Sequence, residues 1–179
     1  MKFLPIFAII YSWSIILISM AINPWFIYQS DAFSSLGGTQ ANLPFVYNIL
    51  GMVFTGIIIM VYSIYSIILS RNKIETVAYS FLFISGIFLA LIGIYHSGTR
   101  PHTFVSSWFF IQSLISFITL SFALIFLKKK ILGFTLLSIS LISPLIAYLV
   151  PWQSVAETET FGIVIVDIAY IISFLSFRK

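Results

Sequence analysis

The sequence predicts an all-α integral membrane protein, a single bundle of six transmembrane helices over residues 1–179 with both termini in the cytoplasm. Three observations carry this reading. Of the 179 residues, 60% are hydrophobic and only 8% charged, against about 25% charged in an ordinary soluble domain. The few charges punctuate the chain at the spacing of membrane spans. Stretches of 28, 39, 24, 27 and 26 residues without Asp, Glu, Lys or Arg separate Lys2 from Asp31, Asp31 from Arg71, Glu75 from Arg100, Arg100 from Lys128 and Lys130 from Glu157. A spanning helix needs about 20 apolar residues. Finally, the basic residues divide unevenly between the two sides that an even number of spans creates. Lys2, Arg71, Lys73, Lys128, Lys129, Lys130, Arg178 and Lys179 fall on one side and Arg100 alone on the other. Lys and Arg accumulate on the cytoplasmic side of short loops.

The helices are placed at 3–22, 43–69, 76–95, 103–127, 131–150 and 160–177. The first follows Lys2, as a signal peptide would, but it is long, lacks a clear small-x-small cleavage site and runs into Asn23-Pro24-Trp25-Phe26, an interfacial anchor. It is read as a retained span. The second is longer than a bilayer requires, which predicts tilt or protrusion. In the third, Gly86, Ala90 and Gly93 share one face and permit close helix approach. The sixth is the shortest of the set and contains Asp167. Outward loops are expected near 23–42, 96–102 and 151–159, with Trp25, Trp108 and Trp152 near that boundary as an aromatic belt. The multi-pass pattern is assigned to the cell (plasma) membrane.

Several chemistries are excluded. There is no cysteine, hence no disulfide, thiolate metal site or thiol nucleophile. The net charge of +4 is dispersed over helix ends rather than gathered into a stripe, so nucleic acid is not an expected partner. No Gly-x-Ser-x-Gly elbow occurs, and Gly37-Gly38 reads as a turn rather than a phosphate cradle. His96 and His102, the only histidines, are too few to ligate two haems. Carboxylates would have to complete any metal site, and His-x5-His matches no strong metal template. No metal or cofactor is assigned.

Most of the polarity lies in the outer loops and outer half-membrane. Asp31, Glu157 and Glu159 are acidic, and His96, Arg100 and His102 are basic or titratable. Arg100, the only strong cation there, is expected to pair with one of the three carboxylates. Asp167 falls roughly 10 Å below the expected outer end of its helix at 1.5 Å per residue. A charge at that depth is costly, so its side chain is expected to face the bundle interior and find a polar partner on another helix. Asn48, Gln112 and Ser143 lie at suitable depth. They form either a polar pocket open to the outside or an interhelical hydrogen-bond network that fixes packing. The candidate ligand-binding set is Asn48, Arg100, His102, Gln112, Glu157 and Asp167.

Three segments, taken together, carry a family likeness: Asn23-Pro24-Trp25-Phe26 with Ser34-Ser35-Leu36-Gly37; Tyr47-Asn48 with Gly51 and Gly56; and the run from Gly86 to Gly93 leading into Gly98-Thr99-Arg100-Pro101-His102. Their order and spacing resemble the prokaryotic multi-spanning family catalogued as domain of unknown function 998, its archaeal members above all. The resemblance covers nearly the whole chain and implies a six-helix bundle with no established activity. His102 and an acidic residue before the last helix, Glu157 or Glu159, match the family pattern. Two positions depart from it: Ser35 stands where the family has Asp, and His96-Ser97 where it often has Pro-Glu.

With so little chain outside the membrane, the sequence points first to a non-enzymatic bundle. It would bind a membrane lipid or small ligand, or act as an accessory subunit among other membrane subunits. An intramembrane enzyme acting on lipid headgroups would use His96 or His102 with Asp31, Asp167 or a loop glutamate for acid–base work. A transporter would use Asp167 as a proton or cation relay.

Overall fold

The computed structural model describes Met1 and residues 3–177. The basic residues Lys2, Arg178 and Lys179, used above to set orientation, lie outside the described residues. Among those described, six helices are long and apolar enough to cross a membrane: α1 (Leu4–Ile22), α2 (Val46–Ile68), α3 (Lys73–Ile94), α4 (His102–Phe126), α5 (Lys130–Leu149) and α6 (Val155–Ser176). Each packs against its neighbours in sequence, and α6 returns to α1. The bundle is thus a closed up-and-down ring, the arrangement favoured by the short loops that join α2 through α6. Large apolar side chains such as Ile10, Leu17, Ile131 and Tyr148 remain exposed around its perimeter, where lipid would cover them.

Local chemistry sets the helix ends. Asn72 caps α3, accepting from the Glu75 N–H at 2.8 Å, while Glu75 accepts from the Arg71 N–H at 2.7 Å. Ser154 and Glu157 repeat the device on α6: the Glu157 N–H donates to Ser154 Oγ at 3.1 Å, and Gln153 N–H to Glu157 Oε2 at 2.9 Å. Such reciprocal capping satisfies donors that a helix start leaves open. It carries both helices further toward their N-termini than apolar character alone suggests, so α6 starts at Val155 rather than at 160. The expected ranking of lengths is therefore corrected: α6 has 22 residues, and α1, with 19, is shorter. Glu157 and Glu159 belong to a helix and not to a loop.

The first eight residues of α2, Val46–Val53, form a π-helix. Here α2 and α3 approach most closely. A Cβ on Gly56 would come within 2.6 Å of the Gly86 carbonyl, and one on Gly93 would collide with the backbone of Asn48. The small-residue face of α3 is what lets these helices touch.

The two ends of the ring are closed differently. At the basic end, Glu75 is fully buried and paired with the Arg71 guanidinium. Arg71 also donates to the Ser176 carbonyl at 2.9 Å and lies 5.2 Å from the Phe177 ring centroid. Its hydrogen bond to Glu75 holds the guanidinium proton more firmly than usual. Lys129 Nζ donates to the same Ser176 carbonyl at 2.5 Å, so both cations cap the last turn of α6, where the helix dipole favours them. Tyr62 and Tyr79 hydrogen bond to Ser173 Oγ at 2.6 and 2.9 Å, tying α2 and α3 to α6.

At the other end, residues 23–42 fold back as a lid. Buried Asn23 joins the two ends of this loop: its Nδ2 donates to the Ser19 carbonyl at 2.8 Å and its Oδ1 accepts from the Asn42 N–H at 2.6 Å. A 3-10 turn, Phe33–Gly37, inserts Phe33 and Leu36 into the mouth of the ring.

Candidate functional site

The lid is held by two side chains from opposite sides of the ring. Asn48 Nδ2 donates to the Gly37 carbonyl at 2.9 Å. A Cβ on Gly37 would collide with the Asn48 side chain, so this close approach requires glycine. Across the mouth, Glu159 Oε2 accepts from the Phe33 N–H at 2.6 Å.

Beneath the lid lies a partly open chamber of about 90 Å³, walled by every helix except α5. Its walls are mainly apolar and aromatic, with Phe33, Tyr47, Phe109, Phe110 and Tyr170 among them. Two carboxyl groups face it, Glu159 and Asp167. The indole Nε1 of Trp13 donates to Asp167 Oδ2 at 2.7 Å. Two further polar groups in the walls, the Tyr170 hydroxyl and Thr55 Oγ1, are buried at 3% and 5% exposure and have no hydrogen-bond partner among the described residues.

A second cavity opens to the side. A groove of about 510 Å³ runs between α4, α5 and α6 on the lid half of the bundle. Leu114, Phe117, Ala147, Tyr148, Phe161 and Ile165 supply much of its surface. Pro144 within α5 also borders it. Proline has no N–H, so the carbonyl of Ser140, one turn earlier, lacks its usual helical donor. Phe110, Glu159 and Val166 line the groove and the chamber alike. They form the partition between the two.

The structure sorts the sequence candidates clearly. Asp167 faces the interior and has a polar partner on another helix, as expected, but the donor is Trp13 rather than Asn48, Gln112 or Ser143. With α6 starting at Val155, Asp167 lies about 18 Å from the helix start, further along than expected. Asn48 holds the lid. Gln112 lines neither cavity, and its buried Oε1 has no partner among the described residues. Ser143 borders the groove.

Glu157 serves as a helix cap, because its position three residues after Ser154 directs its carboxylate back to the helix start. Asp31 closes its own turn by accepting from the Ile27 N–H at 2.7 Å, and its carbonyl accepts from the Ala156 N–H at 3.0 Å. His96 and His102 direct Nδ1 at the carbonyls of Ser97 and Tyr95, at 2.8 and 2.7 Å, and neither lines a cavity. Arg100 is exposed, and the expected pairing with an outer carboxylate is not formed: the ion pair found among the described residues joins Arg71 and Glu75. The outer carboxylates are already engaged with backbone N–H groups, leaving little for Arg100 to gain from an exposed pair.

Trp13 escapes the sequence reading, and Glu159, named there as a loop acid, is missing from the candidate ligand-binding set. Glu159 is the carboxylate that meets both cavities, and Trp13 is the α1 side chain that partners Asp167. The capping box Ser154-Val155-Ala156-Glu157 is the available signal for Glu159, since it places that residue in the second turn of a helix.

A family model described as Protein of unknown function (DUF998) matches residues 6–176. No curated protein and no solved structure matches the chain.

Proposed function

We propose a role for this chain, which belongs to the DUF998 family: it binds one amphiphile taken sideways out of the membrane. The supporting observation is the groove between α4, α5 and α6, which opens on the perimeter of the ring and ends at the Glu159 wall of the chamber. Apolar pockets with a few convergent polar groups are the usual form of a small-molecule site. In the membrane the molecules at high concentration beside such an opening are lipids and lipid-like compounds. The hydrocarbon tail lies along Leu114, Phe117 and Ile165, and the polar end lies toward Glu159.

The lining narrows the class of head. Among the described residues no Lys, Arg or His borders either cavity. A phosphate or carboxylate head would therefore be desolvated without a cationic partner, beside an acidic residue. A neutral or cationic head suits the site better. The lid faces the outside of the cell membrane, because Arg71, Lys73 and Lys128–Lys130 gather at the opposite end. The groove then samples the outer leaflet.

Native mass spectrometry of the protein released from its membrane in mild detergent tests this directly. One bound species per chain is expected. Ala147→Trp, which fills the groove, should remove it while leaving the melting temperature within a few degrees. Wild-type protein that carries no such species, or a variant that carries the same one, would contradict the proposal.

A further inference from the structure

Among the described residues no Lys, Arg or His lines the chamber. Glu159 and Asp167 both face it, and the donors that reach them, Phe33 N–H and the Trp13 indole, are neutral. Among the described cations, Arg71 and Lys129 are engaged at the basic end of the ring, and Arg100 is exposed on a loop. Two carboxyl groups in a small cavity without a counter-charge call for a cation or protons.

The walls say which kind of cation fits. Tyr170 and Thr55 contribute buried hydroxyls that have no partner among the described residues, and each can accept a hydrogen bond from an N–H group. The rest of the surface is largely aromatic and aliphatic. A hard metal ion seeks six or more oxygen ligands, whereas an organic ammonium is satisfied by a few acceptors together with aromatic faces.

Phe110 forms part of the partition between chamber and groove. The Phe110 ring rests against α6 at Gly162, where an added Cβ would stand 2.7 Å from the ring edge. Its ring separates the two, so displacing that ring would bring groove and chamber into contact.

We infer that the chamber receives the ammonium group of the amphiphile whose tail occupies the groove, with Phe110 as the gate between them. This inference rests on the proposed role above and specifies its ligand as a lipophilic amine.

The test uses the full-length protein in phosphatidylcholine nanodiscs, with decylamine, decanol, decanoate and methylammonium as probes. Binding is read as ligand-induced thermal stabilisation. Decylamine should act at a concentration at least ~10-fold lower than decanol, a difference of ~1.4 kcal/mol, with decanoate weakest. Glu159→Gln combined with Asp167→Asn keeps acceptors for Phe33 and Trp13, so it should abolish the preference for the amine and leave the decanol response intact. Phe110→Ala should shorten the incubation time that decylamine needs to reach full stabilisation, and an unchanged time course would overturn Phe110 as the gate. Equal responses to decylamine and decanol would overturn the ammonium assignment and leave the groove reading standing. No response to any alkyl probe would overturn both. Methylammonium acting as strongly as decylamine would show that the chamber takes a free amine and not a tail-borne one.

Discussion

Trp13 on α1 donates its indole N–H to Asp167 on α6 at 2.7 Å, and this bond joins the first and last helices where the ring closes. Hydrogen bonds between membrane helices contribute about 0.6–2 kcal/mol. Asp167→Asn keeps an acceptor for the indole and should change stability by less than ~1 kcal/mol. Asp167→Leu and Trp13→Phe each strand one partner and should cost about 1–3 kcal/mol. Unfolding in mixed micelles measures all three. Equal stability of the Leu variant and the wild type would show that the bond contributes nothing to closure.

The Arg71–Glu75 pair should matter more than a surface ion pair. Glu75 is fully buried, so Arg71→Met leaves a carboxylate without its cation. Losing one member of a buried pair costs about 3–5 kcal/mol, and the lower end applies because Arg71 keeps 30% exposure. The same melt in detergent reads this loss. A shift below ~1 kcal/mol would mean that the capping contacts of Glu75 suffice alone.

The position of the lid can be fixed covalently. A Cβ on Gly38 would lie 3.8 Å from the Cβ of Ser97, within the spacing a disulfide adopts. Gly38→Cys with Ser97→Cys should cross-link under mild oxidation, and no native cysteine competes. Because the proposed route of entry is lateral, the locked protein should still bind its amphiphile. Loss of binding on oxidation, restored by reductant, would move the entry route to the lid.

Orientation is open to a direct assay. Gln40 and Lys73 are exposed at opposite ends of the ring. With an impermeant thiol reagent outside intact cells, Gln40→Cys should label and Lys73→Cys should not. The reverse pattern would invert the topology and assign the groove to the inner leaflet.

Six spans are legible in the sequence because uncharged apolar runs of more than about 20 residues match the thickness of a bilayer and exceed what a soluble core can bury. The inward turn of Asp167 is legible too, since a carboxyl group in lipid is costly. Its partner is not, because a tryptophan in an apolar run looks the same whether its N–H is bonded or not. Glu159 is misread as a loop residue when the helix is started at the first continuous apolar stretch. The Ser154–Glu157 box, two short side chains that satisfy open N–H groups, moves that start to Val155. The groove has no sequence signature, because it arises from the gap between α5 and α6 rather than from any residue pattern.

If one lateral groove, and not the perimeter at large, holds the amphiphile, a photoreactive tail should find it. Photolabelling with a decyl chain bearing a diazirine, followed by peptide mapping, is the most direct measurement. Label should concentrate on groove residues such as Leu114, Phe117, Ala147 and Ile165, and an excess of unlabelled decylamine should displace it. Label spread evenly over lipid-facing positions, including Ile10 and Leu17 on α1, which are 63% and 60% exposed, would contradict the account.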